Sequence, residues 1–308
     1  MKTLSAPGAA GPEADSLPPV SVVIPSYRDA DLLRLCLDAL GRQTYPPDRV
    51  EIIVVDNAGD DAVRQICRDF GVTYTLELQP GVAAARNHGI AMASHEMLAF
   101  TDSDVIPLPE WLERGVRRFR ATANCGFVAG AVEIFTRGRP STSLVEIYEV
   151  VTAFPVKMYM EKHGYGVHAN MFTSASVVRQ VGPLNPDLAG AEDWEWGQRF
   201  VGRDLVVTYD DDVRVLHPAR RTVAQLVKKS RRATLGFCQW NPEKTKKLRF
   251  IVYHFALLGT FRRRWPERIR QFGLMRRSAI YALASYLQWV AAIECSRILL
   301  TGRTKYRP

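Results

Sequence analysis

The sequence predicts an α/β fold built on a mostly parallel sheet. Through residue 121, apolar runs typical of buried strands alternate with helical patterns of about a dozen residues, which is the signature of βαβ units. Polar side chains follow three of these runs, at Ser26, Asp56 and Asp102. Ligands bind beyond the carboxyl ends of strands in such sheets, so we expect a site there. The 308 residues suffice for one large domain with an appendage.

Each element has its own signal. Short apolar, β-branched runs predict strands at residues 20–24, 51–55, 72–78 and 96–101. Apolar residues recurring every three or four positions predict helices at residues 29–43, 61–70, 81–93 and 109–121. The pattern is mixed farther on, with strands expected at 127–134 and 206–209 and helices within 141–162 and at 193–200. Beyond residue 218 the pattern is basic and helical.

The net charge of +9 is unevenly distributed. Residues 1–216 contain 20 Lys and Arg against 29 Asp and Glu, whereas residues 217–308 contain 21 against 3. A basic final third favours nucleic acid, anionic lipid or polyphosphate as a partner. The five cysteines are scattered without a CxxC or Cys/His cluster, so neither a disulfide framework nor a structural zinc site is expected. This cysteine pattern favours a reducing cytosol.

Residues 1–19 are rich in Ala, Gly, Pro and Ser without an apolar core, which predicts a disordered leader and no secretory signal. Residues 218–308 form a predicted basic helical extension, whose apolar stretches 250–261 and 278–293 are too short to span a bilayer. The second stretch has an apolar stripe at helical spacing: Ile280, Leu283, Ala284, Leu287, Val290 and Ala291. Its aromatic residues are Tyr281, Tyr286 and Trp289.

Heavily basic flanks make these helices resemble interfacial helices, so we expect the protein to lie on the anionic inner face of the cell membrane. Two alternatives remain open. The helices can form a cap packed on the preceding α/β domain, or residues 278–300 can form a tilted span in which Arg297 snorkels.

Asp102 and Asp104 lie two residues apart on a turn directly after an apolar strand. Two carboxylates placed this way offer hard oxygen ligands to Mn²⁺ or Mg²⁺. Such a metal keeps open positions for substrate phosphates. Acids in turns also cap helices, so the position after the fourth strand is what favours the metal site.

Five segments in order resemble family 2 glycosyltransferases: VSVVIPSYRDADLLRLCLDALGRQTYP, EIIVVDNAGDD, PGVAAARNHGIAMA, LAFTDSDVIP and GAEDWEW. The resemblance covers residues 20–217 and implies a GT-A fold, with a nucleotide-sugar half at 20–104 and an acceptor half at 105–217. It implies inverting transfer from a nucleoside diphosphate sugar with Mn²⁺ or Mg²⁺. The resemblance implies a QxxRW motif and long spanning helices only for processive members of the family. This sequence has neither, and only Gln239-Trp240 is similar to part of the motif, so we expect a non-processive enzyme.

The resemblance also implies roles in donor binding. Residues Pro25, Ser26 and Tyr27 would frame the nucleotide base, and Asp56 would bind the edge of that base. Arg86 would turn toward the base or a phosphate. Asp104 is expected as a direct metal ligand, and Asp102 as a second ligand or a ribose contact.

Further roles follow for the second half. Asp193 is the expected general base, because a carboxylate must take the acceptor hydroxyl proton during attack on the anomeric carbon. Glu192 would hold a sugar hydroxyl. Trp194 and Trp196 differ in direction on a helix, so one lines the acceptor pocket, for which we name Trp194, and the other packs in the core. His217 is expected as a metal ligand, with a buried structural histidine as the alternative. His88 and His168 have no such support.

These observations predict a metal-dependent glycosyltransferase at the cytoplasmic membrane face. Its acceptor would be a glycan or lipid-linked sugar of bacterial cell-surface polysaccharide synthesis, and nucleic acid is not an expected partner. A nucleotidyltransferase is a second reading, but it needs a Gly-rich phosphate loop where this chain has PSYRDAD. A third is a basic nucleic-acid or membrane-binding protein with an inactive transferase domain, which the intact Asp104 and Asp193 disfavour.

Overall fold

A computed structural model describes residues 16–136, 143–256 and 266–302. In these ranges one sheet contains the strands β1 (Val20–Ser26), β2 (Val50–Asp56), β3 (Thr73–Leu76), β4 (Met97–Thr101), β5 (Ile106–Pro107), β6 (Cys125–Phe135), β7 (Asn170–Ser174) and β8 (Val206–Pro218). Their order is β3-β2-β1-β4-β7-β6-β8-β5. The pairs within β3-β2-β1-β4 and the pair β6-β8 are parallel. Strand β7 runs antiparallel to β4 and β6, and β5 antiparallel to β8, so the predicted mixed, mostly parallel sheet is confirmed.

Helices flank the sheet and form the C-terminal extension. The catalytic part contains α1 (Ala30–Leu40), α2 (Asp61–Phe70), α3 (Val82–Met92), α4 (Trp111–Ala121), α5 (Leu144–Thr152), α6 (Val156–His163), α7 (Ala175–Val181) and α8 (Glu192–Val201). The extension contains α9 (Val223–Trp240), α10 (Lys244–Phe255), α11 (Pro266–Arg270) and α12 (Leu274–Thr301).

The predicted elements occur, with two differences in extent, and three observed elements, β5, β7 and α7, have no predicted counterpart. Residues 143–163 form two helices, because Phe154 adopts a positive φ of 48° and Pro155 cannot donate a backbone hydrogen bond. The predicted strand at 206–209 continues to Pro218 alongside β6. This longer strand carries His217 toward the turn that follows β4, because Leu216 pairs with Ile106 of β5.

The centre of the sheet explains the apolar runs of the sequence. Strand β1 is enclosed by β2 and β4, and its residues Val22, Val23 and Ile24 have no exposed surface. Helix α3 packs closely over this strand, since a Cβ atom on Gly89 would lie 2.4 Å from Val23 Cγ1. The close packing fixes α3, and with it Arg86, against the sheet.

The last residues of the predicted leader lie on the domain. The Ser16 carbonyl accepts a hydrogen bond of 2.7 Å from Arg120 Nη1, and Tyr45 Oη donates to the Pro18 carbonyl. Leu17 packs against the main core. Residues 16–19 therefore belong with the domain, and residues 1–15 of the predicted leader lie outside the described residues.

The extension packs on the catalytic part through two small apolar clusters. One joins side chains of α5, α9, α11 and α12, and the other joins side chains of α9, α10 and α12. All six residues of the predicted membrane stripe are buried, mostly within the first of these clusters: Ile280, Leu283, Ala284, Leu287, Val290 and Ala291.

This burial corrects the expectation that the stripe enters a membrane, because its surface is already covered by the protein. Among the described residues, no helix combines the length and apolar character needed to cross a bilayer. Residues 257–265, which include part of the first apolar stretch, and the basic residues after 302 lie outside the described residues.

Candidate active site

Strands β1, β2 and β4 end at the same edge of the sheet, and predicted site residues gather there. Ser26 ends β1, Asp56 ends β2, and Asp102 follows the last residue of β4. The N-terminus of α8, with Glu192 and Asp193, reaches the same place through contacts with Arg86. Segments far apart in the sequence therefore build one charged site.

Arg86 is the central cation of this site. Its side chain is 4% exposed, and Nη2 donates to Asp102 Oδ1 at 2.7 Å. Nη1 lies 3.5 Å from Glu192 Oε1 and 4.0 Å from Asp193 Oδ1. Burial would lower the pKa of Arg86, but the three carboxylates hold that pKa above its ordinary value. The structure thus places Arg86 between the two acidic motifs.

The neighbouring acids Glu192 and Asp193 have opposite pKa shifts. Burial and the charge of Asp193 raise the pKa of Glu192. Burial also opposes ionisation of Asp193, but the charge and hydrogen bonds of His168, together with the charge of Arg86, outweigh it and lower that pKa. Two adjacent acids driven apart in this way take different roles, and Asp193 is the one that stays ionised. An ionised carboxylate is the state that a general base requires.

His168 contacts the expected base directly, although nothing in the sequence indicated it. Its Nδ1 and its backbone N–H both donate to Asp193 Oδ1, the latter at 3.3 Å. The residue lies in the turn before β7 and has no exposed surface. No motif surrounds it, so only the three-dimensional contact reveals it.

Asp104 and His217 face each other across the turn after β4. His217 Nε2 lies 3.5 Å from Asp104 Oδ2. His217 Nδ1 bonds to the Pro218 carbonyl at 2.8 Å, and a carbonyl only accepts, so Nδ1 carries a proton and Nε2 is directed at the carboxylate. Burial raises the pKa of Asp104, and His217 opposes that rise.

This pair fits a divalent cation. One carboxylate oxygen and one imidazole nitrogen, with Asp102 close by, match the ligands of Mn²⁺ or Mg²⁺ that is also bound by substrate phosphates. The backbone bond at Nδ1 is the outer-shell contact that orients a metal-binding histidine. No cluster of three or more metal-ligating side chains occurs in the described part of the chain, so phosphate oxygens would complete the set.

The expected base-binding segment has an exposed ring on a buried support. Tyr27 is 55% exposed, whereas Ser26 is 2% exposed. Asp29 organises this segment, because Oδ1 accepts bonds from Ser26 Oγ at 2.6 Å and from the Tyr27 backbone N–H at 3.1 Å. Its other oxygen accepts a bond from Ser103 Oγ. Asp29, the first residue of the predicted helix 29–43, thus ties the end of β1 to the acidic turn.

Asp56 is fully buried and its carboxylate serves the loop after β2. Oδ1 accepts backbone bonds from Ala58 and Gly59, and Oδ2 accepts bonds from the Asp60 backbone at 2.6 Å and Tyr74 Oη at 3.1 Å. These bonds engage both oxygens of the carboxylate, and contact of Asp56 with a nucleotide base stays a prediction. Asp56 therefore shapes the loop in this structure.

The two tryptophans of α8 have different surroundings. Trp196 has no exposed surface, and its Nε1 donates to the Gly182 carbonyl at 2.9 Å, so it is the core residue of the pair. Trp194 is partly exposed and stacks on Tyr165 with ring centroids 5.7 Å apart. The edge of Trp240, at the end of α9, approaches Trp194 at 5.1 Å. These rings form an aromatic surface beside Asp193.

The extension also brings two cations close to Asp104 and His217, the expected metal ligands. Buried Glu149 accepts a bond of 2.7 Å from Arg220 Nη1 and lies 3.4 Å from Lys229 Nζ. Burial and the charge of Arg220 lower the pKa of Lys229 to about 8, against the opposing effect of Glu149. Lys229 Nζ lies 5.3 Å from the centre of the Phe154 ring, which packs against His217 at 4.8 Å.

Helix α9 is anchored directly beside the acidic motif. A Cβ atom on Gly236 would lie 1.9 Å from the Gly190 carbonyl oxygen, so only glycine permits this approach. Gly190 precedes Ala191, whose positive φ of 63° leads into α8. The extension is thus part of the framework that positions Glu192 and Asp193.

Comparisons with known proteins agree with this architecture. A sequence profile described as "Glycosyl transferase family 2" matches residues 21–182. Glycosyltransferase AglE of Haloferax volcanii is 33% identical over 299 residues, which cover 94% of this chain and 97% of that protein. Validoxylamine A glucosyltransferase of Streptomyces hygroscopicus subsp. limoneus is 30% identical over 169 residues, or 53% of this chain and 36% of that protein.

A solved structure shares the fold. It is the mannosyltransferase PcManGT from Pyrobaculum calidifontis in complex with GDP-Man and Mn²⁺, with a TM-score of 0.57 and 20% sequence identity. The likeness covers 97% of this chain and 80% of that chain. It therefore extends from the sheet into the C-terminal helices.

Proposed function

The chain belongs to glycosyl transferase family 2 and has the GT-A fold of a glycosyltransferase, and on this premise we propose that it is a metal-dependent, inverting enzyme. Its donor would be a nucleoside diphosphate sugar, and its acceptor a hydroxyl of a glycan or lipid-linked sugar in cell-surface glycan assembly. The observation that carries the proposal is that one site contains both an ionised Asp193 and the Asp104–His217 pair. Arg86 and Asp102 connect the two parts of this site.

Asp193 would act as the general base. It accepts the proton of the acceptor hydroxyl while that oxygen attacks the anomeric carbon and the bond from this carbon to the diphosphate breaks. A single displacement of this kind inverts the anomeric centre. His168 and Arg86 favour the ionised state of Asp193, as the lowered pKa indicates.

The leaving diphosphate would be held beside Asp104. When bound, Mn²⁺ or Mg²⁺ held by Asp104 and His217, with Asp102 close by, supplies positive charge to the diphosphate. Arg220 and Lys229 add protein charge beside the same residues. Their contact with Glu149 fixes both cations before the donor arrives.

The nucleotide base would stack on Tyr27. The ring is exposed, and Asp29 holds the backbone of this segment through the Tyr27 N–H and the Ser26 hydroxyl. Backbone groups of Pro25 and Ser26 would read the edge of the base. Asp56 would contribute through the loop that it shapes.

A nucleotide panel tests the donor and metal proposals together. The melting temperature of the protein is measured with UDP, GDP, dTDP, CMP, ADP and GDP-mannose, each with Mn²⁺ or with EDTA, because ligands that bind the folded state raise it. We expect one nucleoside diphosphate to stabilise the protein, and only with metal. RNA and DNA are measured in the same assay, and stabilisation by nucleic acid with none by any of these nucleotides would refute the proposal and favour a nucleic-acid-binding protein.

We also propose that the acceptor is met at an anionic membrane on the cytoplasmic side. The five cysteines are free and buried, which suits a reducing compartment. The outward side of the extension exposes apolar side chains on two helices that pack together, α10 and α12. These residues, called the outer face here, are Leu248, Val252, Phe255, Tyr286, Trp289 and Ile293.

Charge selects the occupant of the outer face. The extension carries an excess of 18 positive charges over residues 217–308, so a second copy would be repelled whereas anionic lipid would be attracted. Tyr286 and Trp289 are 46% and 47% exposed and are residue types that suit the interface between lipid and water. This face lies opposite the buried stripe of α12.

Vesicle sedimentation tests the membrane proposal. We expect binding to phosphatidylcholine vesicles that contain phosphatidylglycerol, little binding without it, and loss of binding at high salt. The double variant Trp289→Ser, Ile293→Ser should bind at least about tenfold more weakly, since each side chain contributes roughly 1.5–3 kcal/mol when buried. Leu35→Ser, at an equally exposed position (47%) on α1, is the matched control. Equal binding of the wild type, the double variant and Leu35→Ser would refute the proposal that the outer face binds the membrane.

A further inference from the structure

We propose that His168 is a positioning residue for the general base, a role that rests on the proposed function and extends it. Two donors of this one residue, Nδ1 and the backbone N–H, meet the same oxygen, Oδ1 of Asp193. Two bonds from one residue fix both the place and the rotation of the carboxylate. The second oxygen, Oδ2, is thereby oriented for the acceptor hydroxyl.

The ring of His168 is itself held rigidly. It lies edge-on to Phe100 of β4 at 5.2 Å between centroids, and it packs against Trp196 at 4.9 Å. Trp196 is on α8, three residues after Asp193. His168 thus connects the sheet, the turn before β7 and the helix that carries the base.

The polar contacts of the ring indicate its role. Within the described residues, Nε2 of His168 is buried and has no hydrogen-bond partner. An apolar residue would fill the space between Phe100 and Trp196 without that unpaired atom. The imidazole is therefore explained by what Nδ1 does, which is to donate to Asp193.

Three charged or titratable groups lie around Asp193, and a fourth acts on its neighbour Glu192. Arg86 approaches from α3, Glu192 lies beside it on α8, His168 contacts it from the turn before β7, and Arg232 on α9 acts on Glu192. Burial would raise the pKa of Asp193, and His168 is the strongest influence that lowers it, ahead of Arg86. Loss of the Nδ1 donor should therefore raise this pKa while Arg86 and Glu192 stay in place.

Two substitutions of similar shape separate positioning from packing. His168→Asn keeps a side-chain amide N–H near the place of Nδ1, whereas His168→Leu has no side-chain donor; both keep the backbone N–H and lose the same ring contacts. His95→Leu, before the amino end of β4 and therefore at the opposite edge of the sheet, is the control for removal of a histidine. A nucleotide sugar built on the nucleoside diphosphate that stabilises the protein in the panel above serves as the probe, and its hydrolysis is followed with water as the acceptor.

We expect His168→Leu to lower kcat by about 10- to 100-fold, part of the rate that a general base supplies. The acid limb of its pH profile should move to higher pH, because a base with a raised pKa is protonated sooner as pH falls. His168→Asn should recover much of the rate and of the pH profile. Donor affinity should stay within about twofold in both variants, because His168 is not placed at the donor.

Equal losses of kcat in His168→Asn and His168→Leu, with the acid limb unmoved, would overturn positioning in favour of packing. An unchanged kcat and pH profile in His168→Leu would overturn it as well. In both cases the wild type still binds and hydrolyses the donor, so the proposed function stands. Absence of donor binding and hydrolysis in the wild type would instead overturn the proposed function and this inference with it.

Discussion

Arg86 and Asp102 form a partly buried ion pair in which Nη2 lies 2.7 Å from Oδ1. The pair joins the middle of α3 to the turn after β4. The same guanidinium faces Glu192 and Asp193 on α8, so one cation links two acidic motifs that are 90 residues apart. Removal of such a cation leaves buried carboxylates without compensation.

Arg86→Met should destabilise the protein by about 3–5 kcal/mol at neutral pH, because it breaks a partly buried ion pair on one side only. Without Arg86, the pKa values of Glu192 and Asp193 rise in the folded state. The folded state then binds more protons than the unfolded state, so the stability of the variant should fall as pH rises. Urea unfolding at pH 5 and pH 8 measures both effects.

Arg86→Lys is the control that keeps a charge without the fork. It should lie between the wild type and Arg86→Met in stability, since a single ammonium cannot reach Asp102 and α8 together. Equal stability of wild type and Arg86→Met at pH 8 would show that the carboxylates are neutralised by another group.

Glu192→Gln should stabilise the protein at neutral pH. Burial and Asp193 raise the pKa of Glu192, so its ionised form is disfavoured in the folded state. A group with a raised folded pKa contributes stability below its unfolded pKa and loses that contribution as pH rises through the folded pKa. The gain of Glu192→Gln over the wild type should therefore grow as pH rises through that window. Chemical unfolding across a pH series measures it, and a gain largest in acid would contradict the assigned direction.

Asp193→Asn should retain donor binding and lose transfer. The amide keeps the shape of the carboxylate but cannot accept the acceptor proton, so the rate should fall by about 10²- to 10⁴-fold. Calorimetry with the donor and metal, together with a turnover assay, separates the two effects. Weakened donor binding with turnover maintained in the bound complex would contradict the base assignment.

Asp104→Asn and His217→Gln should both weaken metal-dependent donor binding. Each removes one of the two side chains that face each other at 3.5 Å, and roughly 10- to 100-fold losses are typical when support of a metal site is lost. The melting-temperature shift by nucleotide with Mn²⁺ measures the loss. Nucleotide binding in EDTA should not change in either variant. A normal Mn²⁺-dependent shift in His217→Gln would leave His217 a structural residue.

The order of strands and helices through α4 was predictable from local periodicity, apart from the two-residue strand β5, whereas β7 and α7 were not predicted. The acidic motifs were predictable because each stands at the end of an element. Contacts between distant segments were not. His168 lies in a turn without a motif, and only its contact with Asp193 in the folded protein indicates a role. Asp29 begins a predicted helix, and no sequence pattern indicated that its carboxylate joins Ser26 to Ser103.

The stripe of α12 shows a second limit. The spacing of the apolar residues predicted which side chains share a face of α12. It could not predict what that face contacts, because a stripe facing a membrane and a stripe facing protein have the same periodicity. The partners of the stripe, Val145 and Tyr148 on α5 and Leu226 on α9, come from segments that spacing alone cannot bring together. The hydrogen bonds of Asp56 were not predictable from spacing either. Its carboxylate accepts bonds from three backbone N–H groups of the following loop and from Tyr74 Oη.

The two tryptophans of α8 should respond oppositely to substitution. Trp196→Ala removes a fully buried ring and its bond to the Gly182 carbonyl, so it should cost about 3–5 kcal/mol of unfolding free energy. Trp194→Ala should cost much less, because Trp194 is partly exposed and contributes mainly ring contacts with Tyr165 and Trp240 of roughly 0.5–1.5 kcal/mol each.

In activity assays we expect a specific loss of sugar transfer in Trp194→Ala. Trp194→Ala should hydrolyse the donor with water at nearly the wild-type rate, since Asp193 and the metal-site residues are untouched. It should lose transfer to sugar acceptors, because the aromatic surface beside Asp193 is where the apolar face of a sugar ring would pack. A panel of octyl glycosides as acceptors, compared with hydrolysis by the same protein, measures this ratio. A parallel loss of hydrolysis and transfer in Trp194→Ala would mean that the ring supports the base and not the acceptor.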